Sequence, residues 1–112
     1  MRITIANTFL KRLIGFMGRR EIGSREAMLF PRCARVHTFF MCVPIDVVIL
    51  DQDMKVLNVF YSVSPWRVVP RVVGATMCLE IASGAAVLQG IVSGLTLQCE
   101  QAGDGQFLGR MV

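Results

Sequence analysis

Four side chains in this sequence have the types that acid–base or ligand chemistry uses: Arg19, His37, Asp46 and Glu80. Asp46 and Glu80 each stand alone in an apolar run, IDVVIL and MCLEIA. Two carboxylates converging near an arginine would hold a cation or exchange a proton with a substrate. The same residues admit a structural reading, in which Asp46 accepts backbone N–H bonds or pairs with Arg19 and pins a helix end to a sheet, because a buried charge needs such partners. His37 is the only histidine and the only side chain whose ordinary titration lies near neutrality. It has no serine or cysteine arrangement around it that would mark a nucleophile. Ser24, Ser62, Ser64, Ser83 and Ser93 lie in no nucleophile elbow, and there is no glycine-rich phosphate loop, HExxH or paired-carboxylate signature.

The cysteines at 33, 42, 78 and 99 form no CxxC pair. Zinc ligands usually come as close pairs from tight turns, so the one conceivable set, Cys33, His37 and Cys42 across a turn, is a weak metal signal. Buried reduced thiols are the expectation, with no metal, no cofactor and no structural disulfide. The last candidate is the stretch 62–70, SVSPWRVVP, where two prolines bracket the only tryptophan, Trp66, beside Arg67. A loop tryptophan either stacks on a ligand or lids the core; together with Arg67 it marks a candidate partner surface.

The elements that must position these residues centre on 37–50, HTFFMCVPIDVVIL. Residues 36–41 and 45–50 both read as strands, short and rich in Val, Ile and Phe. Pro44 between them has no N–H for a ladder, so it marks a kink, a bulge or the start of an edge. The turn DQD at 51–53 leads into a return strand over 55–63, making a hairpin of 45–63. Further strands are expected over 2–6, 27–30, 76–81 and 95–99, with a helix over 9–17 capped by Asn7 or Thr8 and stopped at Gly18, and a short turn or helix at 85–89. Arg19 and Arg20 then fall at the negative end of the first helix. Many short strands without a βαβ rhythm predict a mainly β protein, a small jelly-roll-like sandwich or barrel with one or two short helices. The expected organisation is one domain over 1–112, with 100–112 as a tail turning at 103–105.

Composition narrows the functions. With 112 residues, 54% hydrophobic and 18% charged, and a mean hydropathy of +0.55, the chain has too much to bury and too little to solvate to be disordered. It packs tightly or keeps an apolar surface for a partner. Residues 81–99 carry no charge and contain the GxxxG pattern GIVSG, but their serines, glutamines and glycines argue against a membrane span. No secretion signal is recognisable, so the expectation is a cytoplasmic, soluble protein. The net charge of +4 is uneven: residues 1–40 hold eight basic and two acidic side chains, residues 41–112 four and six. That asymmetry would suit an acidic polymer, but no nucleic-acid-binding motif accompanies it, and nucleic acid is not the expected partner.

The order of segments LIGFMGR at 13–19, AMLF at 27–30, FFMCVPID at 39–46 followed by VVILD, CLEIASG at 78–84 and GIVSG at 90–94 resembles the uncharacterised prokaryotic family known as domain of unknown function one-nine-two. Its members carry a GLMGR-like helix end, a FWMKNTxIPLD strand, a VLELPAG strand and a closing GIxxGD. The resemblance covers roughly 2–99 and implies a mainly β, jelly-roll-like fold without an assigned activity. Many members are exported, which the resemblance sets against the cytoplasmic expectation. Three departures stand out: Cys42 replaces the usual Lys, the Asn of that motif is missing, and Gly94-Leu95 replaces the terminal GD. If those polar groups served a shared site, this member lacks part of it. The favoured reading is a non-enzymatic binding or accessory module that holds a partner protein or a small ligand at the Pro44–Asp46 rim and the Trp66 loop, with a homodimer as the other possible partnership. The alternative is a small ligand- or metal-binding protein or enzyme around Arg19, His37, Asp46 and Glu80. Attraction of an acidic polymer to the basic N-terminal third comes third.

Overall fold

The computed structural model describes residues 1–6, 16–33, 36–103 and 105–112. The helix expected over 9–17 lies largely outside the described residues. Among the described residues, seven strands form one mixed sheet: β1 (Arg2–Ile5), β2 (Glu26–Phe30), β3 (Ile45–Leu50), β4 (Val56–Val63), β5 (Met77–Ala82), β6 (Leu97–Gly103) and β7 (Gln106–Met111), with one short helix, α1 (Ala85–Leu88), after β5. Their order across the sheet is β4-β3-β5-β2-β1-β7-β6. The protein is mainly β.

All pairs are antiparallel except β1 with β2. A parallel pair needs a long crossover, here the segment 6–25. The sheet curls until its two edges meet at one point: Lys55, just before β4, bridges Thr96, just before β6. The Val56 N–H donates to the Leu95 carbonyl there at 2.8 Å. No ladder joins β4 to β6, so the curl does not close into a barrel.

Curling gives the sheet an inner and an outer face, and the alternation of side chains sorts residues between them. Ile3, Leu29, Val48, Leu50, Val56, Leu79, Ile81 and Leu97 pack inside. Phe30, Ile45, Val47, Ile49 and Cys78 face outward, where Phe16, Val36, Met41 and Val69 from the long connections cover them. The two central strands β3 and β5 are therefore apolar on both faces, and every residue of β3 is buried. That is why 47–50 reads as an unbroken apolar run.

Two expectations need correction. Residues 36–41 form a loop with a single isolated bridge, His37 to Val68, in place of a strand. The Thr38 side chain and left-handed backbone at Phe40 (φ 65°) pull this segment out of any ladder. The stretch 100–112 is also no tail: β6 runs to Gly103, and β7 follows it back and pairs with β1. Gly109 lets β7 lie over Ile3, since a β-carbon there would collide with the Ile3 side chain. A glycine inside a strand marks this kind of close approach.

Candidate functional site

Asp46 occupies the second position of β3 and is fully buried. Its Oδ1 accepts the Ser62 N–H at 2.8 Å, and its Oδ2 accepts the N–H groups of Gly84 at 3.1 Å and Ala86 at 3.0 Å. Each donor lies where regular pairing fails. The β3–β4 register slips between Ile45 and Val47, leaving an extra residue on β4 near Ser62, whose φ is 47°; this is a β-bulge. Gly84 and Ala86 begin α1, whose first N–H groups have no partner within the helix. One carboxylate thus ties the end of β4, the start of β3 and the β5–α1 corner together. The Ser62 and Ser83 hydroxyls add a contact at 2.6 Å across the same junction.

Arg19 does not join Asp46. It makes a two-pronged ion pair with Glu26, at 3.0 and 2.9 Å, with its guanidinium 5.5 Å over the Phe16 ring. The hydrogen bond from Arg19, followed by that from the Gly23 N–H, holds the Glu26 carboxyl below its usual range. Both partners are substantially exposed (44% and 40%), so the pair contributes little to stability.

Glu80 lies on β5 between Met28 of β2 and Val47 of β3. Because Val47 and Cys78 face outward, alternation places Glu80 on the outer face and Asp46 on the inner one. The two carboxylates point to opposite sides of the sheet and do not converge. Glu80 is 7% exposed, and no ion pair reaches it among the described residues. Burial, and secondarily the charge of Cys33, push its carboxyl up to about 8. No group of three or more potential metal ligands comes together among the described residues.

His37 stands apart from each of the other three. Residues 36–41 lie against 64–69 at the end of the sheet where β3 begins and β4 ends. The Val69 N–H donates to the Val36 carbonyl at 2.9 Å, Thr38 N–H to the Arg67 carbonyl at 2.8 Å, and Trp66 N–H to the Thr38 carbonyl at 2.9 Å. The fully buried Thr38 hydroxyl donates to the Ser64 carbonyl at 2.6 Å and accepts the Arg67 N–H at 2.9 Å. Around this staple the rings of His37, Phe39, Trp66 and Phe40 touch in sequence, with centroid separations of 4.7, 5.7 and 4.6 Å. His37 Nδ1 accepts the Phe39 N–H at 3.2 Å.

Phe40 and Trp66 are 60% and 58% exposed, and both have φ of 65°. Left-handed backbone costs a bulky residue about 1–3 kcal/mol and persists only where the surroundings enforce it. Trp66 is thus joined by Phe39, Phe40 and His37 in one ring cluster, and the exposed Arg67 follows it in the chain, held by backbone bonds to Thr38. Sequence reasoning missed Phe39, Phe40 and Thr38, since phenylalanines in an apolar run read as core. A second exposed apolar group, Val87, Leu88 and Val92, has no aromatic or charged member. Arg2, Arg20 and Arg25 of the basic third are exposed. No helix among the described residues is long and apolar enough to cross a membrane.

Comparison with known proteins gives consistent matches. The model of the DUF192 family, described as "Uncharacterized ACR", matches residues 1–99. A UPF0127 protein of Pyrococcus abyssi is 37% identical over 71 residues, 60% of this chain and 59% of that relative. A UPF0127 protein of Pyrococcus horikoshii is 36% identical over 72 residues, 59% of each. The match thus spans 59% of the length of these two relatives. A crystal structure of a protein of unknown function from Novosphingobium aromaticivorans superposes with a TM-score of 0.72 at 28% identity, over 82% of this chain and 70% of that one.

Proposed function

The chain belongs to the DUF192 family, which carries no assigned activity, and from its own geometry we propose that it is a non-enzymatic binding module whose contact surface is the aromatic tip of His37, Phe39, Phe40, Trp66 and Arg67. The occupant in this reading is a protein partner. The observation that carries it is the pair Phe40 and Trp66, two large rings held outward on left-handed backbone and locked from beneath by Thr38.

The physical argument is one of preorganisation. Exposed aromatic area opposes solubility unless it is used. Rings fixed before contact lose little side-chain freedom on binding. Tryptophan and arginine are the residue types that dominate interface energies, often at 2 kcal/mol or more each, roughly a thirty-fold change in affinity. The Val87–Leu88–Val92 group lacks such anchors. In this reading Asp46 serves the tip from below, because it fixes the bulge at Ser62 from which the Trp66 loop departs.

The test is recovery of crosslinked partners from cells producing the wild type, the double variant Phe40→Ser/Trp66→Ser, and a control, Val87→Ser/Leu88→Ser. A partner kept by the wild type and the control but lost from a folded tip variant supports the reading. Equal recovery by all three rejects it.

A second reading, a small-ligand site, rests on Glu80 alone: a buried acid with its proton held to about pH 8 fits a general acid or a ligand-facing group. Asp46 and Arg19 take no part in it, having their bonds elsewhere.

A further inference from the structure

Cys33 and Cys78 lie together on the outer face of the sheet. Cys78, on β5 opposite Phe30 of β2, is fully buried, whereas Cys33 is half-buried. The Cys33 N–H donates to the Thr76 carbonyl at 2.8 Å, which folds the connection after β2 back onto the start of β5. The Cys78 thiol donates to the Cys33 carbonyl at 3.1 Å, so the Cys78 sulfur rests against the Cys33 residue itself. Glu80 stands two residues beyond Cys78, hence on the same face. With the Cys78 sulfur this close to the Cys33 main chain, turning the Cys33 side chain toward it is the approach needed to reach disulfide bonding distance, ~2 Å.

We propose that Cys33 and Cys78 are a redox couple that closes to an intramolecular disulfide by exchange with a small disulfide, Cys33 attacking and Cys78 resolving. Exposure assigns the roles, since only Cys33 is within reach of solvent. The Cys33 thiolate attacks one sulfur of RSSR; the S–S bond breaks, and RS⁻ leaves and takes a proton from water. The Cys78 thiol then gives its proton to water and attacks the Cys33 sulfur of the mixed disulfide, and the second RS⁻ leaves and is protonated in turn. Two electrons pass from the protein to RSSR, and two RSH result.

Electrostatics orders the steps. The hydrogen bond with Cys33, burial, and the charges of Cys33 and Glu80 all hold Cys78 far above the usual thiol range, so Cys78 stays protonated until Cys33 has reacted. Forming the mixed disulfide removes the Cys33 charge, and Cys78 becomes more acidic only then. Because thiolate is the nucleophile, resolution follows attack.

The experiment titrates the protein with graded mixtures of reduced and oxidised glutathione, followed by acid quench, alkylation and peptide mapping by mass spectrometry. Circular dichroism checks the fold throughout. The expected result is a Cys33–Cys78 linked peptide that rises with oxidised glutathione. Cys78→Ser should instead accumulate glutathione at Cys33, and Cys33→Ser should give neither product. In Glu80→Gln the pH profile of closure should shift to lower pH, because one charge opposing Cys78 ionisation is gone; a structural role for Glu80 would not move it. Both cysteines remaining alkylatable at every ratio in the folded protein would overturn the proposal, as would glutathione persisting on Cys33 while Cys78 is present.

Discussion

Replacing Glu80 with glutamine swaps the buried acid for a neutral group of the same shape. The Glu80 carboxyl titrates at about 8, against 4.5 for an ordinary glutamate, and burial is the main cause. Between those values the folded chain keeps a proton that the unfolded chain has lost. Stability therefore falls as pH rises through the window from 4.5 to about 8. Each pH unit of separation is worth about 1.4 kcal/mol, so the whole window is worth about 5 kcal/mol and the part up to neutrality about 3 kcal/mol. That is a large share of the 5–15 kcal/mol typical of a domain. Urea denaturation followed by far-ultraviolet circular dichroism at pH 5, 7 and 8.5 reads it directly. Wild type and Glu80→Gln should have nearly equal midpoints at pH 5, and the variant should be the more stable by several kcal/mol at pH 8.5. Taking the difference at each pH cancels the other titrating groups, Glu26 included. A difference that changes by less than about 1 kcal/mol across the range would refute the reasoning, and so would a wild type that gains on the variant as pH rises.

Other substitutions probe the framework. Asp46→Asn leaves one carbonyl oxygen for three N–H donors and turns an NH₂ toward at least one of them; an unsatisfied buried donor costs about 1–3 kcal/mol, so a loss of about 3 kcal/mol is expected in urea denaturation, and a loss under 1 kcal/mol would contradict the junction described at Ser62, Gly84 and Ala86. Thr38→Val keeps the shape but removes the hydroxyl between Ser64 and Arg67; hydrogen exchange at the Arg67 and Trp66 amides should speed up while amides of β3 and β5 stay protected. Gly109→Ala forces a methyl against Ile3, and overpacking of this kind costs about 1–3 kcal/mol, visible as a lower thermal midpoint.

Much of the fold was legible in particular residues. The β-branched run at 45–50, the DQD turn and the return over 56–63 define the β3–β4 hairpin, and Asp51 indeed turns the chain by accepting the Asp53 and Lys55 N–H groups. The strands at 26–30 and 77–82 and the helix at 85–88 follow equally from apolar runs bounded by Pro31 and Gly84. β7 was not legible, because Gly109 interrupts its pattern and its role depends on Ile3, more than a hundred residues away. The parallel pairing of β1 with β2 is likewise a property of the crossover, which carries no local signal. Residues 36–41 misled through strand propensity, overridden here by tertiary hydrogen bonds to Thr38.

Site residues follow the same division. Asp46 and Glu80 were visible as lone acids in apolar runs, and acceptance of backbone N–H groups was one of the readings for Asp46. Their faces were not visible, since these depend on register. Arg19 pairs with Glu26 through a fold in the chain that no short-range spacing announces. Trp66 was marked by its flanking prolines, but Phe39 and Phe40 were hidden in what looked like core.

Trp66 is the only tryptophan and sits at the centre of the proposed contact surface, so its fluorescence tests the binding-module reading most directly. With a partner recovered by crosslinking, complex formation is followed by native mass spectrometry while the emission of Trp66 is recorded. A complex that shifts the emission to shorter wavelength and shields Trp66 from a soluble quencher is the predicted result. A complex that forms fully with the emission and quenching of Trp66 unchanged would contradict it.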